Sequence, residues 1–433
     1  MSKEMKSATA GLNRRQALAA GGAVVGATWL GGGLCRPALA VDRTINVLTL
    51  GEGIFGEPFM KLSKDFTAAT GIKVNNVTTG YNESMQKQAA MFAGQGSELD
   101  VVQVDNFFLK GYAKAGHLAK LNGALIPETF VKDFNADVPT AVRELWQVDG
   151  DNFGMATIGN CQSFYYNSAH LKDAGVEPPD TWEEFLVAAR KVVDPSKKRY
   201  GFVTSTERLT KAVTDFLTIF WAEGGKLFND KMQPTIDDAA GLYAINMIVE
   251  LIKTMPPGGA AYTESDEVKA LAVGLGSLDP MSWIPDSIKT ADAVTKPQLA
   301  TRVSPKGSVR RAPVLGGMGL CVSNYSPSKE AAAQFVQWFN TAEVQRDKIV
   351  QNGGQPCRTS AWAANLDKEP WFPALAENFK VAHALPQIPE WGQIDAAVST
   401  QLAYAFAGQV DPKSAIKQAQ ADVDKIMKEA GYY

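Results

Sequence analysis

Short apolar runs alternate along this chain with longer stretches in which apolar residues recur every three or four positions. Ile45–Leu50 reads as a strand, and it is followed by a helix from Glu57 to Ala69 that stops at Gly71. Ile72–Val77 reads as the next strand, Ser84–Phe92 as a helix and Val101–Val104 as a third strand. Strand, helix and strand at this spacing imply right-handed crossovers and a parallel sheet. Further along, Thr181-Trp182-Glu183-Glu184 forms a capping box that opens a helix to about Val193. Asp237–Thr254 carries one apolar side (Leu242, Ile245, Ile248, Val249, Ile252) and ends before Pro256-Pro257. The last helix has Asp411 as N-cap, Pro412 at its first position and Gly431 as its stop. The pattern predicts a large α/β protein with loops at strand ends, where ligands bind in such folds.

Composition changes this picture at the N-terminus. The 433 residues hold 43 Lys+Arg against 46 Asp+Glu, a formal charge of -3 that excludes a chain-wide basic footprint for nucleic acid. Residues 1–40 hold five basic residues and one acid, so the remaining 393 carry about -7. Arg14-Arg15, a glycine-diluted apolar stretch from Ala17 to Leu34 and the closing Ala38-Leu39-Ala40 read as a signal peptide over residues 1–40. The arginine pair resembles the twin-arginine subtype, with ordinary Sec export as the alternative. The mature protein is expected to be exported to the periplasm. Cys161, Cys321 and Cys357 remain after cleavage, and one disulfide among them is possible, its pairing open. Neither C-x-x-C nor clustered His points to a metal, and no cofactor is implied.

Gly51-Glu52-Gly53-Ile54-Phe55-Gly56 lies between a strand and a helix and fits G-x-G-x-x-G, the fingerprint of a dinucleotide loop in an exported oxidoreductase. The second strand lacks the ribose-binding acid that should follow, and Glu52 would put a carboxylate beside a pyrophosphate. Neither G-x-S-x-G, H-E-x-x-H, a Walker sequence nor S-x-x-K occurs, so catalysis has no support and the chain reads as a non-enzyme.

Several segments resemble the ABC-transporter solute-binding proteins of family 1, the maltose-binding-protein-like group. Gly111–Leu121, Phe153–Ala156 and Ser163–Asn167 carry the likeness first, followed by Leu171–Val176 and Pro178–Phe185. Ala331–Gln345, Gly353–Ser360 and the region Gly408–Met427 continue it in the same order. The resemblance implies a two-lobe periplasmic-binding-protein fold with crossovers near Ala156–Ser163, Val309–Gly319 and Gln355–Ser360. Lobe one would span 42–158 plus 312–357 and lobe two 159–311 plus 358–433. It also implies hinged closure over a carbohydrate or polyol ligand, a membrane permease as partner, and a monomer. The same scaffold could instead take a polyamine, a phosphorylated polyol or a metal chelate.

A polyol asks for carboxylates, amides and Arg forks for its hydroxyls and for flat rings against its C–H faces. Glu52, Tyr81, Asn82 and Asp105 follow the first three strands and are candidates, with helix capping as their other use. Asn160 lies in the first crossover, where the family often has a carboxylate. Asp279, in a loop-like Asp279-Pro280-Met281-Ser282-Trp283 segment, joins the set, as does Trp283, which resembles the family's cleft tryptophan. Gly317 and Met318 lie in a Gly-rich stretch that would let backbone approach a ligand. Trp221 and Trp391 are stacking candidates. Arg358 matches the family's cleft-facing Pro-x-Arg position, with an inter-lobe salt bridge as its alternative.

Overall fold

The structure is a computed structural model that describes residues 43–433 apart from 52, 209, 284 and 293, and leaves aside the side chain of Asn82. The segment read as a signal peptide, its arginine pair and Glu52 therefore lie outside the described residues. Five strands form the larger sheet: β1 (Thr44–Leu50), β2 (Lys73–Thr79), β3 (Val101–Asp105), β4 (Met155–Ile158) and, late in the chain, Met318–Val322. Three form a smaller one, β5 (Ser163–Asn167), β6 (Leu278–Ser282) and β7 (Leu299–Arg302), which makes Met318–Val322 β8. The larger sheet runs β2-β1-β3-β8-β4. The β1–β2 and β1–β3 pairs are parallel, as the strand-helix-strand spacing predicts. β8 pairs antiparallel with both β3 and β4, so the sheet as a whole is mixed. The short return segment after Gly317 has no crossover helix and can only enter the sheet from the opposite end.

The helix after β1 is α1, Gly53–Thr70, which begins four residues before the apolar periodicity does. Tertiary packing explains the early start. A methyl group on Gly56 would lie 1.9 Å from the carbonyl oxygen of Leu50. The glycine lets the first turn fold directly back onto the strand end. Its place in a G-x-G-x-x-G pattern thus has a packing cause. α2 is Tyr81–Ala93 with Gly80 as N-cap, so Tyr81 and Asn82 belong to its first turn. α3, Asn106–Lys114, starts immediately after β3. The capping box at Thr181 and the Asp411–Pro412 start of the last helix form as read.

One element departs from expectation. Asp279–Ser282 reads as loop-like in the sequence, yet it lies in β6, fully buried. β6 is an edge of the small sheet, where a strand tolerates the missing N–H of proline. The chain leaves the larger sheet at Ile158 and enters the smaller at Ser163, and Cys161 pairs with Leu315 where the two passages run side by side.

The buried apolar residues fall into two cores. One surrounds the larger sheet, with Val47, Leu48, Val102, Val104 and Leu320 inside it. The other gathers Phe164, Phe202, Phe216, Phe220, Leu402 and Val423 around α4 (Thr210–Ala222) and the C-terminal helices. All three cysteines are buried and free, so the possible disulfide does not form. The Cys357 thiol lies 3.0 Å from the Ala156 carbonyl oxygen and 3.3 Å from Gln345 Oε1, held by polar neighbours rather than by sulfur. No described helix is long and apolar enough to cross a membrane.

Candidate functional site

The site is built at strand ends. Leu50, Thr79 and Asp105 end the three parallel strands, and Met318 opens the antiparallel β8 at the same edge. Together they form one wall of a cavity of about 430 Å³. The facing wall comes from Glu207, Thr210 and Lys211 at the start of α4, from α5 (Glu264–Ala272), and from Ser282, Trp283 and Asp286 at the end of β6 and the start of α6 (Asp286–Thr290). A buried glutamine fixes the first wall. Gln103 accepts from Leu50 N at 2.9 Å and donates to Phe55 O at 2.8 Å, tying the end of β1 to the first turn of α1.

Of the sequence candidates, Tyr81, Asp105, Asn160, Trp283, Gly317 and Met318 come together around this cavity. Asp105 both caps and lines. It accepts from Phe107 N at 3.4 Å and from the Tyr81 hydroxyl at 2.8 Å. Burial pushes its carboxyl up to about 7, against the hydrogen bonds from Tyr81 and Phe107. Asn160 is 3% exposed, and its Oδ1 has no hydrogen-bond partner among the described residues. A methyl on Gly316 would meet the Trp283 ring at 2.6 Å and Asn160 Oδ1 at 2.8 Å, so this glycine makes the room in which ring and amide converge.

The side chain of Asn82, in the first turn of α2, lies outside what the structure describes, and Trp221, Trp391, Asp279 and Arg358 lie elsewhere. Trp221 is buried and stacks on His383 at 5.6 Å between ring centroids. Trp391 is buried at the start of α7 (Trp391–Phe406), in the second core. Asp279 lies behind the cavity wall, and burial pushes its carboxyl up to about 7 although Lys211 opposes the shift. Arg358 is 1% exposed and outside the cavity lining. Its guanidinium donates to Asp133 at 3.0 Å, Asp137 at 3.2 Å and Asn340 O at 3.0 Å, and it covers the Phe134 ring. Burial opposes the charge on Asp137, but hydrogen bonds from Ser360 and Arg358 hold its carboxyl below the usual range. This arrangement ties the segment after Gln355 to the helix before Asp137. Arg358→Ala is therefore expected to cost about 2–3 kcal/mol of folding stability, equally with and without ligand. Parallel melts in both conditions check it, and a loss confined to the ligand-bound melt would instead make Arg358 a binding residue.

Sequence reading found only Trp283 of the second wall. Lys211 is 3% exposed and donates to both Asp215 oxygens at 2.7 Å and to Thr204 at 2.9 Å, with Glu267 at 3.6 Å. Burial works against its charge, but Asp215, Glu267 and Asp279 outweigh burial and raise its pKa. Thr210 donates to Asp395 at 2.9 Å, and burial lifts that carboxyl to about 6. Lys211 and Asp215, four apart inside the apolar run Thr210–Ala222, are the signal that was available: charges on an otherwise buried helix need partners. Among the described residues no group of His, Cys, Asp and Glu is arranged to hold a metal ion.

Two sheets, a chain that crosses between them and a cavity at the strand ends define a two-lobe α/β fold. The profile of the bacterial extracellular solute-binding proteins matches residues 52–346, more than half of the chain, and the chain belongs to that family. It is 27% identical over 389 residues to a probable amino-acid ABC transporter periplasmic-binding protein of Sinorhizobium fredii, covering 87% of this chain and 88% of the other. It is 24% identical to a mannitol-binding protein of Pseudomonas aeruginosa, over 86% of this chain and 90% of that one. A solute-binding protein of Agrobacterium vitis, solved with bound D-mannitol, superposes with a TM-score of 0.78 at 23% identity, over 90% of this chain and 99% of that one. The family is one of exported binding proteins, and the dinucleotide reading of Gly51–Gly56 falls with it.

Proposed function

We propose that this protein captures a sugar or sugar alcohol in the periplasm and presents it to the permease of an ABC importer. The observation that carries the reading is the cavity itself. Carboxylate, amide and hydroxyl groups alternate there with the rings of Phe55, Tyr81, Phe107 and Trp283, the mixture a polyhydroxylated ligand needs on its edges and faces. The mannitol-binding relative and the mannitol-bound neighbour support the ligand class. The proposal includes a signal peptide removed near Ala40, and lobes of 42–158 plus 312–357 and 159–311 plus 358–433. It also includes closure of the lobes over the ligand, read by the permease as the loaded, monomeric state.

A thermal-shift screen over hexoses, disaccharides, pentitols and hexitols tests the reading. Ligand at one hundred times its Kd should add about 2.7 kcal/mol to folding stability. A melt unmoved by every sugar and alditol, with phosphorylated polyols or metal chelates raising it instead, would overturn the ligand class.

A further inference from the structure

The cavity wall is unbalanced in both charge and hydrogen-bonding character. Among the described residues, five carboxylates line it (Asp105, Glu207, Glu264, Glu267 and Asp286) against one cation, Lys211. That cation is already engaged by Asp215, Thr204 and Glu267. Asp395 stands behind Thr210, close enough to act electrostatically on Asp105 and Tyr81. Two of the wall's hydroxyl donors are already committed: Tyr81 gives its proton to Asp105 and Thr210 gives its proton to Asp395.

A second, independent observation points the same way. Asn160, nine-tenths buried and more, holds its amide oxygen at the cavity without a hydrogen-bond partner among the described residues, close to Gly316 and Trp283. What the wall offers in excess is carboxylate oxygen, together with the faces of Trp283, Phe55 and Phe107. Neutral hydroxyls would satisfy acceptors without offsetting the excess of carboxylates over lysine in the wall. An ammonium group satisfies both, because it brings three donors and a positive charge and is attracted to aromatic faces.

We propose that the ligand carries a protonated amine, which the carboxylates of the cavity and the Asn160 amide oxygen receive. This rests on the reading that a sugar or sugar alcohol binds in the cleft, and it narrows that ligand to an amino derivative of a sugar or alditol. The rise of the Asp105 carboxyl to about 7 on burial is in keeping with a wall that lacks a counter-charge.

The test compares 1-amino-1-deoxy-D-sorbitol, D-sorbitol and 1,4-diaminobutane by calorimetric titration of the purified protein at pH 7.5, with a Glu207→Gln/Glu264→Gln variant alongside. The amino alditol differs from sorbitol by one ammonium in place of one hydroxyl. It should bind at least about tenfold more tightly, a difference of about 1.4 kcal/mol, and the ratio should shrink toward one in the double variant. Tightest binding by the diamine would keep the ammonium and discard the sugar. Equal or tighter binding of sorbitol would overturn the amine and leave the sugar reading standing. Failure of all three overturns the amine as well, and the sugar screen then decides the broader reading by itself.

Discussion

Asp105→Asn is expected to lower ligand affinity about ten- to a hundredfold while making the ligand-free protein more stable at pH 8. The loss of affinity follows from position: Asp105 closes β3, receives the Tyr81 hydroxyl and lines the cavity. A buried charged acceptor that meets a ligand donor contributes about 1.5–3 kcal/mol, so its removal reaches that range of affinities. The gain in stability follows from linkage. The folded carboxyl is raised to about 7 from an unfolded value near 3.9, so between these values the folded state holds a proton that the unfolded state releases. A raised acid pKa means that stability falls as pH climbs from about 4 through about 7 and stays lower above that. The asparagine never ionises, so the variant escapes this loss. Melts of both proteins at pH 4 and pH 8 should coincide at the lower pH and separate by up to about 4 kcal/mol at the higher, roughly 1.4 kcal/mol for each unit by which the folded carboxyl is raised. A variant less stable at pH 8 than at pH 4, relative to the parent, would contradict this account of the site.

Lys211→Met is expected to be the most damaging single change near the cavity. It leaves Asp215, Glu267 and Asp279 buried around an uncharged chain, and stripping one partner from a buried ionic group costs about 3–5 kcal/mol. The sign with pH is opposite to a simple loss of packing. Without the ammonium, these carboxyls shift further upward, so the variant should recover part of its stability as pH falls from 8 to 5. Denaturant unfolding at the two pH values measures this. A companion variant, Lys211→Met/Asp215→Asn, removes the charge on both sides and should regain part of the loss, because a neutral pair carries no uncompensated charge. A double variant no more stable than the single would mean that Lys211 acts through packing alone.

Half of the site could be read before the fold was known. The wall made by Tyr81, Asp105, Asn160 and Met318 follows directly from strand positions, since ligands in α/β sheets meet the C-terminal ends of parallel strands. Asp105 illustrates why capping and binding cannot be separated in sequence: one carboxylate at a strand end accepts from a helix N–H and still faces the cavity. The opposite wall is built from helix starts at Thr210, Glu264 and Asp286, hundreds of positions from some of their partners. Nothing local marks them, except the Lys211–Asp215 pair inside an apolar helix. Arg358 teaches the complementary lesson. A residue at a hinge-like segment has two uses for a guanidinium, and only the three-dimensional neighbourhood of Asp133 and Asp137 distinguishes a structural tie from a ligand contact. Pro280 shows a similar limit in secondary structure. It lies in a stretch that reads as loop-like, but edge placement in a three-stranded sheet makes it harmless.

The cavity also explains why the mild overall charge is a poor guide to the ligand. The whole chain is formally -3, whereas the described cavity wall holds five carboxylates and one lysine. Charge concentrated at a low-dielectric site acts far more strongly than the same charge spread over a surface. That concentration is what a polar solute meets on entering the cleft.

The most direct test of the central claim is a crystal structure of the protein with the tightest ligand found in the solution screens. The account predicts density for one ligand molecule between the two walls, within hydrogen-bond distance of Asp105, facing the Trp283 ring and touching residues from both sheets' sides. A ligand bound against Arg358, or held by one wall alone, would contradict it.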